Sequence, residues 1–188
     1  KIACYSKFPI LSARTLNYPS EYNGSLLYEI KIGEDTLTLI NNHLESNKLT
    51  LADKEVYEEM LKSPEKEKVK SGARLLIRKL AEASAIRAPQ ADAIAREIAA
   101  SAHPYVIVCG DFNDSPISYA HHTIARELDD AFTESGRGLG ISYNQNRFYF
   151  RIDNILTSKN LKAYNCTVDR SIKDSDHYPI WCHIALDR

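Results

Sequence analysis

Hydrophobic and polar positions alternate with a period of two in the first part of the chain. Residues 25–32 and 36–40 both show this alternation, and the turn-forming segment Gly33-Glu34-Asp35 separates them. This pattern predicts a β-hairpin. The hairpin is expected to end at the polar cluster Asn41-Asn42-His43.

Helical spacing of apolar residues dominates the middle of the chain. It predicts one helix over 51–61 that Pro64 ends, and a second over 75–86 that Pro89 ends. A third helix is predicted over 90–100, while the charged stretch 65–70 between the first two is expected to be a solvated face or a mobile connection.

The second half of the chain favours strands. Residues 105–109 form a continuous apolar run, which is typical of a strand buried on both faces. Further strands are predicted over 148–156, 161–168 and 178–186, with a short helix within 115–131. Strands and helices mix within 188 residues and no linker separates them, so we expect one α/β or α+β domain with a mixed sheet.

Composition narrows the function classes. The formal net charge is −1, so the chain has no global basic field that would attract nucleic acid. Its four cysteines lack CxxC spacing, which argues against a disulfide framework or a zinc site. No apolar run is long enough to cross a membrane.

The segment Gly110-Asp111-Phe112-Asn113 follows the buried strand. Asp111 and Asn113 share one face if the strand continues, although the same residue types also suit a strand-ending turn. A calcium-binding loop is excluded, because Pro116 stands where glycine is needed and His122 where glutamate is needed.

Asp153 lies in an apolar strand, where a buried carboxylate needs a partner. His177 is the natural candidate, since an Asp–His pair gives a general base of fixed orientation. His43 follows another predicted strand and could donate to a phosphoryl oxygen. His121 and His122 lie on the predicted short helix and are expected to face solvent.

These carboxylates, amides and imidazoles suit attack of water on a phosphate ester with a divalent metal. Their order along the chain resembles that of a bacterial, deoxyribonuclease I-like member of the endonuclease/exonuclease/phosphatase superfamily. The matching segments are Tyr5-Ser6-Lys7-Phe8-Pro9-Ile10, Asn42-His43-Leu44, Gly110-Asp111-Phe112-Asn113, Arg151-Ile152-Asp153 and Ser175-Asp176-His177-Tyr178-Pro179.

The resemblance implies an α/β (α+β) fold in which helices flank a two-sheet β-sandwich, giving four layers in the order α-β-β-α. It also implies catalytic roles for five residues. His177 paired with Asp153 would activate water, His43 would bind the scissile phosphate, and Asp111 and Asn113 would position nucleophile and phosphate. Asp111 is the rival candidate for the general base.

A magnesium or manganese ion is implied as well. By the same resemblance, Asp176, Asp111 and Asn113 would hold it through oxygen ligands and water. The substrate class stays open among nucleic acid, a phospholipid headgroup and a small phosphoester.

One departure from the family is expected to matter. The family places an asparagine and a metal-binding glutamate before the Ser6-Lys7-Phe8-Pro9-Ile10 segment, and this chain begins close to that segment. We therefore expect 1–188 to be a single, N-terminally truncated domain with impaired activity and a bared sheet edge that favours homo-oligomers. The parent protein could carry a membrane anchor, and a catalytically silent scaffold that keeps the fold is the alternative function.

Overall fold

The computed structural model describes residues 2–20, 23–62, 67–145 and 148–186. The strands are β1 Ile10–Thr15, β2 Gly24–Ile32, β3 Asp35–His43, β4 Tyr105–Asp111, β5 Leu128–Asp130, β6 Tyr143–Gln145, β7 Phe148–Phe150, β8 Asp153–Ser158, β9 Leu161–Val168 and β10 Ile180–Leu186. The helices are α1 Leu51–Lys62, α2 Glu67–Ala99, α3 Tyr119–Ile124 and α4 Ala131–Ser135.

Six of these strands form a mixed sheet in the order β1-β2-β3-β4-β8-β5. The predicted hairpin is its β2–β3 pair, and Gly33 takes the left-handed conformation (φ 62°) that a two-residue hairpin turn requires. β3 and β4 run parallel, so the chain crosses over between them, and α1 and α2 occupy that crossover. Two further pairs, β9–β10 and β6–β7, form small sheets.

The six-stranded sheet separates two hydrophobic clusters. The larger contains residues of α2 and α3, such as Ile94 and Ile124, together with strand residues such as Val108 and Leu156. The smaller joins β8 to α4 and β9–β10, with Ile155 packed against it. Neighbouring β8 residues point to opposite faces, so α2 and α3 cover one face, and the β9–β10 pair with α4 covers the other.

The outer face of β9–β10 is exposed among the described residues. Tyr164 and Trp181 on that face are 48% and 42% exposed. The structure therefore has a mixed six-stranded sheet with small additional sheets, and a complete four-layer sandwich is not seen in the described part of the chain.

The prediction that Pro89 ends a helix is wrong. α2 continues through Pro89, although proline removes one helical hydrogen bond at a typical cost of about 3 kcal/mol. Contacts on both sides of Pro89 offset this cost. Arg87 donates to the Glu45 carbonyl oxygen (2.9 Å), and the Gln90 side-chain oxygen accepts from the Glu45 amide (2.9 Å).

The strands also differ from the sequence-based expectations in two places. β1 was not predicted, since its residues are all exposed and lack a buried face. The strand predicted over 148–156 is two strands, β7 and β8, which Arg151 and Ile152 separate. The charged stretch 65–70, expected to be a solvated face or a mobile connection, lies partly outside the described residues, and it is helical from Glu67 onward. Pro64, the predicted end of the first helix, lies outside the described residues.

A capping box fixes the start of α1. The Asp53 carboxylate accepts hydrogen bonds from the Thr50 amide and hydroxyl (both 2.7 Å), and the Asp53 amide donates back to that hydroxyl (3.3 Å). Lys79 of α2 lies 2.6 Å from the same carboxylate. These contacts lower the pKa of Asp53 to about 2, the Lys79 hydrogen bond being the largest cause. The pair therefore fixes α1 against α2 beside the sheet.

β1 forms one edge of the six-stranded sheet. It is short, its pairing with β2 is irregular between Ile10 and Ser12, and it carries Arg14. Irregular, charged edges disfavour pairing between sheets, so association through this edge remains a prediction without structural support. All four cysteines are free, and no helix in the described ranges is long and apolar enough to span a bilayer.

Candidate active site

Strand register brings three predicted site residues to one end of the sheet. His43 at the end of β3 pairs with Asp111 at the end of β4, and Asp111 pairs with Asp153 at the start of β8. The three side chains therefore stand on adjacent strands, although 110 positions of sequence separate the first from the last.

Gly110 permits this close approach. Its φ is +121°, and a Cβ there would lie 2.1 Å from the backbone oxygen of Asn42 on β3. No larger residue fits without moving the backbone of one strand. The glycine of the Gly110-Asp111-Phe112-Asn113 segment is thus explained by the junction of β3 and β4.

Asp111 and Asn113 meet through a turn. β4 ends at Asp111, and Asn113 takes a left-handed conformation (φ 51°), which asparagine tolerates better than most residues. The Asn113 backbone amide and side-chain nitrogen then donate to the two Asp111 carboxylate oxygens, at 2.8 and 3.1 Å. The turn interpretation is the one the structure shows. Asn113 also donates to the Leu44 carbonyl, which fixes its side chain.

His177 and Asp153 form a hydrogen-bonded pair. His177 Nδ1 lies 2.8 Å from Asp153 Oδ2, and this hydrogen bond is the main cause that raises the pKa of His177. On the other side of the ring, His177 Nε2 lies 4.0 Å from Asp111 Oδ2, and His43 Nε2 lies 3.6 Å from the same oxygen. The Asp111 carboxylate therefore faces both imidazoles.

The carboxylates also affect one another. Burial, and then the negative charge of Asp153, raise the pKa of Asp111 to about 6. Burial lowers the pKa of His43. Near neutral pH the site therefore holds a neutral His43 beside a carboxyl group that can take up or release a proton.

Backbone pairing holds the loop that carries His177. The Tyr178 amide donates to the Ser142 carbonyl (2.7 Å), and an isolated β-bridge joins Tyr143 to His177. The edge of the Tyr143 ring contacts the His177 imidazole, with ring centroids 5.1 Å apart. Asp176 is exposed on this loop and lines the same cavity as His177.

Ser142 holds the backbone at Asp153 by hydrogen bonds. Its hydroxyl oxygen accepts hydrogen bonds from the amides of Ile152 (3.1 Å) and Asp153 (3.0 Å), and the residue is fully buried. Sequence analysis missed Ser142, because a serine before a short strand carries no signal of a contact made ten residues later.

Arg87 was also missed, because an arginine on an amphipathic helix is usually solvated. It is 2% exposed, and its guanidinium bonds Asp114 (3.0 Å), the Glu45 carbonyl (2.9 Å) and the Asn47 side chain (2.9 Å). It therefore connects α2 to the loops that follow β3 and β4, next to His43 and Asp111.

The expectation that His121 faces solvent is wrong, whereas His122 is exposed. His121 is buried, with Nε2 3.3 Å from Asp130 Oδ2. Asp130 also accepts two hydrogen bonds from Arg151 (2.9 and 2.6 Å). Burial alone would raise the pKa of Asp130, but His121 and Arg151 hold it well below the usual range. This network anchors the Arg151-Ile152-Asp153 segment through Arg151.

Three potential metal ligands cluster among the described residues. One ligand atom each of Asp111, Asp153 and His177 lies within 4.8 Å of the others. The predicted metal set of Asp176, Asp111 and Asn113 overlaps this cluster in Asp111 only. Asn113 turns its amide nitrogen toward Asp111, so a donor rather than a ligand oxygen faces that carboxylate.

A cavity of about 600 Å³ opens from this cluster and runs beneath α1 and α2. It is lined at one end by His43, Asp111, Asn113, Asp176 and His177. Five of the six predicted site residues lie within a few ångströms of one another, and Asp176 lies at the rim.

Comparison with known structures shows the fold. Zebrafish (D. rerio) TDP2 complexed with single-stranded DNA product has a TM-score of 0.60 and 17% identity over 94% of this chain and 68% of that chain. The human Nocturnin catalytic domain has a TM-score of 0.60 and 14% identity, over 95% and 60% of the two chains. A Bacteroides thetaiotaomicron mannosyl-6-phosphatase has a TM-score of 0.58 and 15% identity, over 96% and 68%.

The chain thus spans between 60% and 68% of the length of these structures, and the likeness indicates a deoxyribonuclease I-like fold. No curated protein sequence matches the chain. Residues 1–177, by contrast, match the model of the Endonuclease/Exonuclease/phosphatase family. The chain belongs to this family.

Proposed function

We propose that this protein is a divalent-metal-dependent phosphoesterase that cleaves phosphodiesters or phosphomonoesters with activated water. The observation that carries the proposal is the 2.8 Å hydrogen bond between His177 Nδ1 and Asp153 Oδ2, with Nε2 turned toward Asp111. A carboxylate that fixes one imidazole nitrogen leaves the other free to exchange a proton with water.

His177 is the proposed general base. It takes a proton from water while the water oxygen forms a bond to phosphorus and the ester P–O bond breaks. The proton then passes to the leaving oxygen or to solvent. Asp111 is the alternative base, because its raised pKa of about 6 gives it appreciable basicity near neutral pH.

His43 and Asn113 are proposed to position the phosphate. His43 is half exposed toward the cavity, and burial keeps its pKa low, so a neutral imidazole N–H can donate to a phosphoryl oxygen. Asn113 uses both hydrogens of its side-chain amide on Leu44 and Asp111, so it would position the phosphate indirectly, by holding the Asp111 carboxylate in place. Fixed donors stabilise charge that develops on the phosphoryl oxygens.

The residues fit a magnesium or manganese ion. Asp111 and Asp153 provide hard carboxylate oxygens, and a bound cation would offset the burial and the negative charge of Asp153 that raise the pKa of Asp111. Both would hold the metal, with Asp176 at the rim and Asn113 as further candidates. When bound, such an ion neutralises phosphoryl charge and makes bound water more acidic.

The structurally similar proteins include a TDP2 that binds a single-stranded DNA product and a mannosyl-6-phosphatase, which supports a phosphate-containing substrate and leaves its class open. We also propose that β9 and β10 belong to the second sheet of a four-layer sandwich. Their inner face supports this, because Ala163 and Cys166 of β9 share the smaller hydrophobic cluster with Ile155 of β8.

Hydrolysis of bis(p-nitrophenyl) phosphate tests the proposal. Turnover should require magnesium or manganese, stop with excess chelator and fall at least 100-fold in His177→Ala. His122→Ala is the matched control, since it removes an exposed histidine outside the cavity and should retain full turnover. Metal-independent turnover, or equal turnover in both variants, would contradict the proposal, and no turnover in any form would favour the silent scaffold.

A further inference from the structure

The cavity is much larger than a phosphoryl group requires. Its volume of about 600 Å³ lies within the range of roughly 300–1,000 Å³ that is typical of sites enclosing an organic ligand. The predicted catalytic residues line only one end. The other end lies between α1, α2 and the β6–β7 hairpin, and no proposed catalytic step uses it.

Apolar side chains dominate that second end. Met60 of α1 and Leu76 and Leu80 of α2 line it on one side. Phe150 of β7 and Ile152 line it as well. Leu76 is 4% exposed and belongs to the buried set, so this wall is part of the packed structure. The wall is mainly aliphatic, which suits a flexible alkyl group.

Of the three cationic residues in the described lining of the cavity, Lys48 and Arg87 are paired with carboxylates, and only Lys54 contacts a neutral partner. Lys48 pairs with Glu45 (2.9 Å), and Lys54 donates to the Tyr143 hydroxyl (2.7 Å). Arg87 is saturated by its hydrogen bonds to the neighbouring loops. A polynucleotide needs cations that can neutralise successive phosphates, and the described lining of this cavity provides no such track.

Resting on the proposed function, we infer that the substrate is an amphiphilic phosphoester whose alkyl chain occupies the cavity between α1 and α2. The phosphate lies at the His43 and Asp111 end, and the chain extends along Met60 and Leu80. Burial of methylene groups then supplies binding energy that the catalytic end alone lacks.

A homologous series of p-nitrophenyl alkyl phosphodiesters tests this inference. We compare methyl, butyl and octyl esters, each below its critical micelle concentration, with magnesium or manganese present. Full burial of a methylene is worth about fourfold in binding, and because the cavity is open at one side we expect about threefold per methylene. The butyl ester should therefore exceed the methyl ester roughly 30-fold in kcat/KM.

Two variants and a control locate the effect. Leu80→Gln and Met60→Gln place an amide in the apolar wall, and each should reduce the octyl-to-methyl ratio of kcat/KM at least threefold, about the effect of one buried methylene. Two variants are used so that one folding defect, detected by circular dichroism, does not decide the result. Leu75→Gln on the same helix is the control, since Leu75 is 43% exposed and lies outside the cavity lining.

A binding measurement separates this inference from the proposed function. Isothermal titration of the wild type with octyl phosphate and methyl phosphate, in chelator, needs neither metal nor turnover. Tighter binding of octyl phosphate that Leu80→Gln weakens and Leu75→Gln does not would support the inference even if no ester is hydrolysed. Equal binding of both phosphates, or turnover independent of chain length, would overturn it while leaving the phosphoesterase proposal intact.

Discussion

Replacement of Ser142 by alanine should lower both the stability of the protein and its activity. The serine hydroxyl accepts from the Ile152 and Asp153 amides at 3.1 and 3.0 Å and is fully buried. Alanine leaves both amides without their acceptor. An unsatisfied buried donor costs about 1–3 kcal/mol, so we expect a loss of about 3 kcal/mol in the free energy of unfolding. For a domain of this size, that lowers Tm by roughly 6–12 °C.

Activity should fall as well, because Asp153 sets the orientation of His177. A displacement of Asp153 weakens its 2.8 Å hydrogen bond to His177. Misplacement of a catalytic group by about 1 Å can cost up to about 100-fold in rate. The pH–rate profile gives a second readout. The Asp153 hydrogen bond raises the pKa of His177, so its loss should shift the acidic limb of the pH–rate profile, where the general base His177 becomes deprotonated, to lower pH.

Ser158→Ala is the matched control. The Ser158 hydroxyl likewise accepts from a backbone amide, that of Val106 (3.0 Å), but it lies at the far end of β8 from Asp153. Urea unfolding and kcat are measured for both variants. Ser158→Ala should lose about 1 kcal/mol and keep its kcat. If Ser142→Ala keeps the wild-type kcat and pH profile, the role of Ser142 in positioning Asp153 is refuted.

Three further predictions concern stability, each checked by urea unfolding. Gly110→Ala should cost about 3 kcal/mol or more, because its Cβ meets a strand backbone and its φ is positive; a loss below about 1 kcal/mol would contradict the close approach of β3 and β4. Arg87→Met should lower the free energy of unfolding by about 3 kcal/mol, because it leaves the Asp114 carboxylate without its partner. The control Arg78→Met removes an exposed ion pair on the same helix and should cost less than about 0.5 kcal/mol, and equal losses would refute the buried network. Because the pKa of Asp53 is lowered to about 2, its carboxylate stabilises the fold above about pH 4. The free energy of unfolding of the wild type should exceed that of Asp53→Asn by about 2 kcal/mol above pH 4, and this difference should vanish between pH 4 and pH 2. A difference independent of pH would contradict the prediction.

Local patterns predicted the parts of the fold that local chemistry decides. Alternation gave the β2–β3 hairpin, and the apolar run gave β4, because each strand has at least one buried face. β1 has no buried residue, so its alternation carries no signal. The helix across Pro89 depends on bonds to Glu45, which is distant in sequence and close only in the folded chain.

The same distinction between local patterns and tertiary contacts applies to the residues of the candidate site. Residues that need unusual chemistry at their positions were predicted, such as Asp153 in an apolar strand and Asp111 after a glycine. Residues that act through a single tertiary contact were not. Ser142 and Arg87 are ordinary residue types in ordinary settings, and His121 became buried because Asp130 lies opposite it.

The most direct test is a double-mutant cycle on the Asp153–His177 pair. We would measure kcat for bis(p-nitrophenyl) phosphate with manganese in the wild type, Asp153→Asn, His177→Ala and the double variant. If the pair acts as one unit, the double variant should be no slower than His177→Ala alone, and the wild-type rate should vanish with chelator. Losses that multiply, or single variants that turn over as fast as the wild type, would contradict the account.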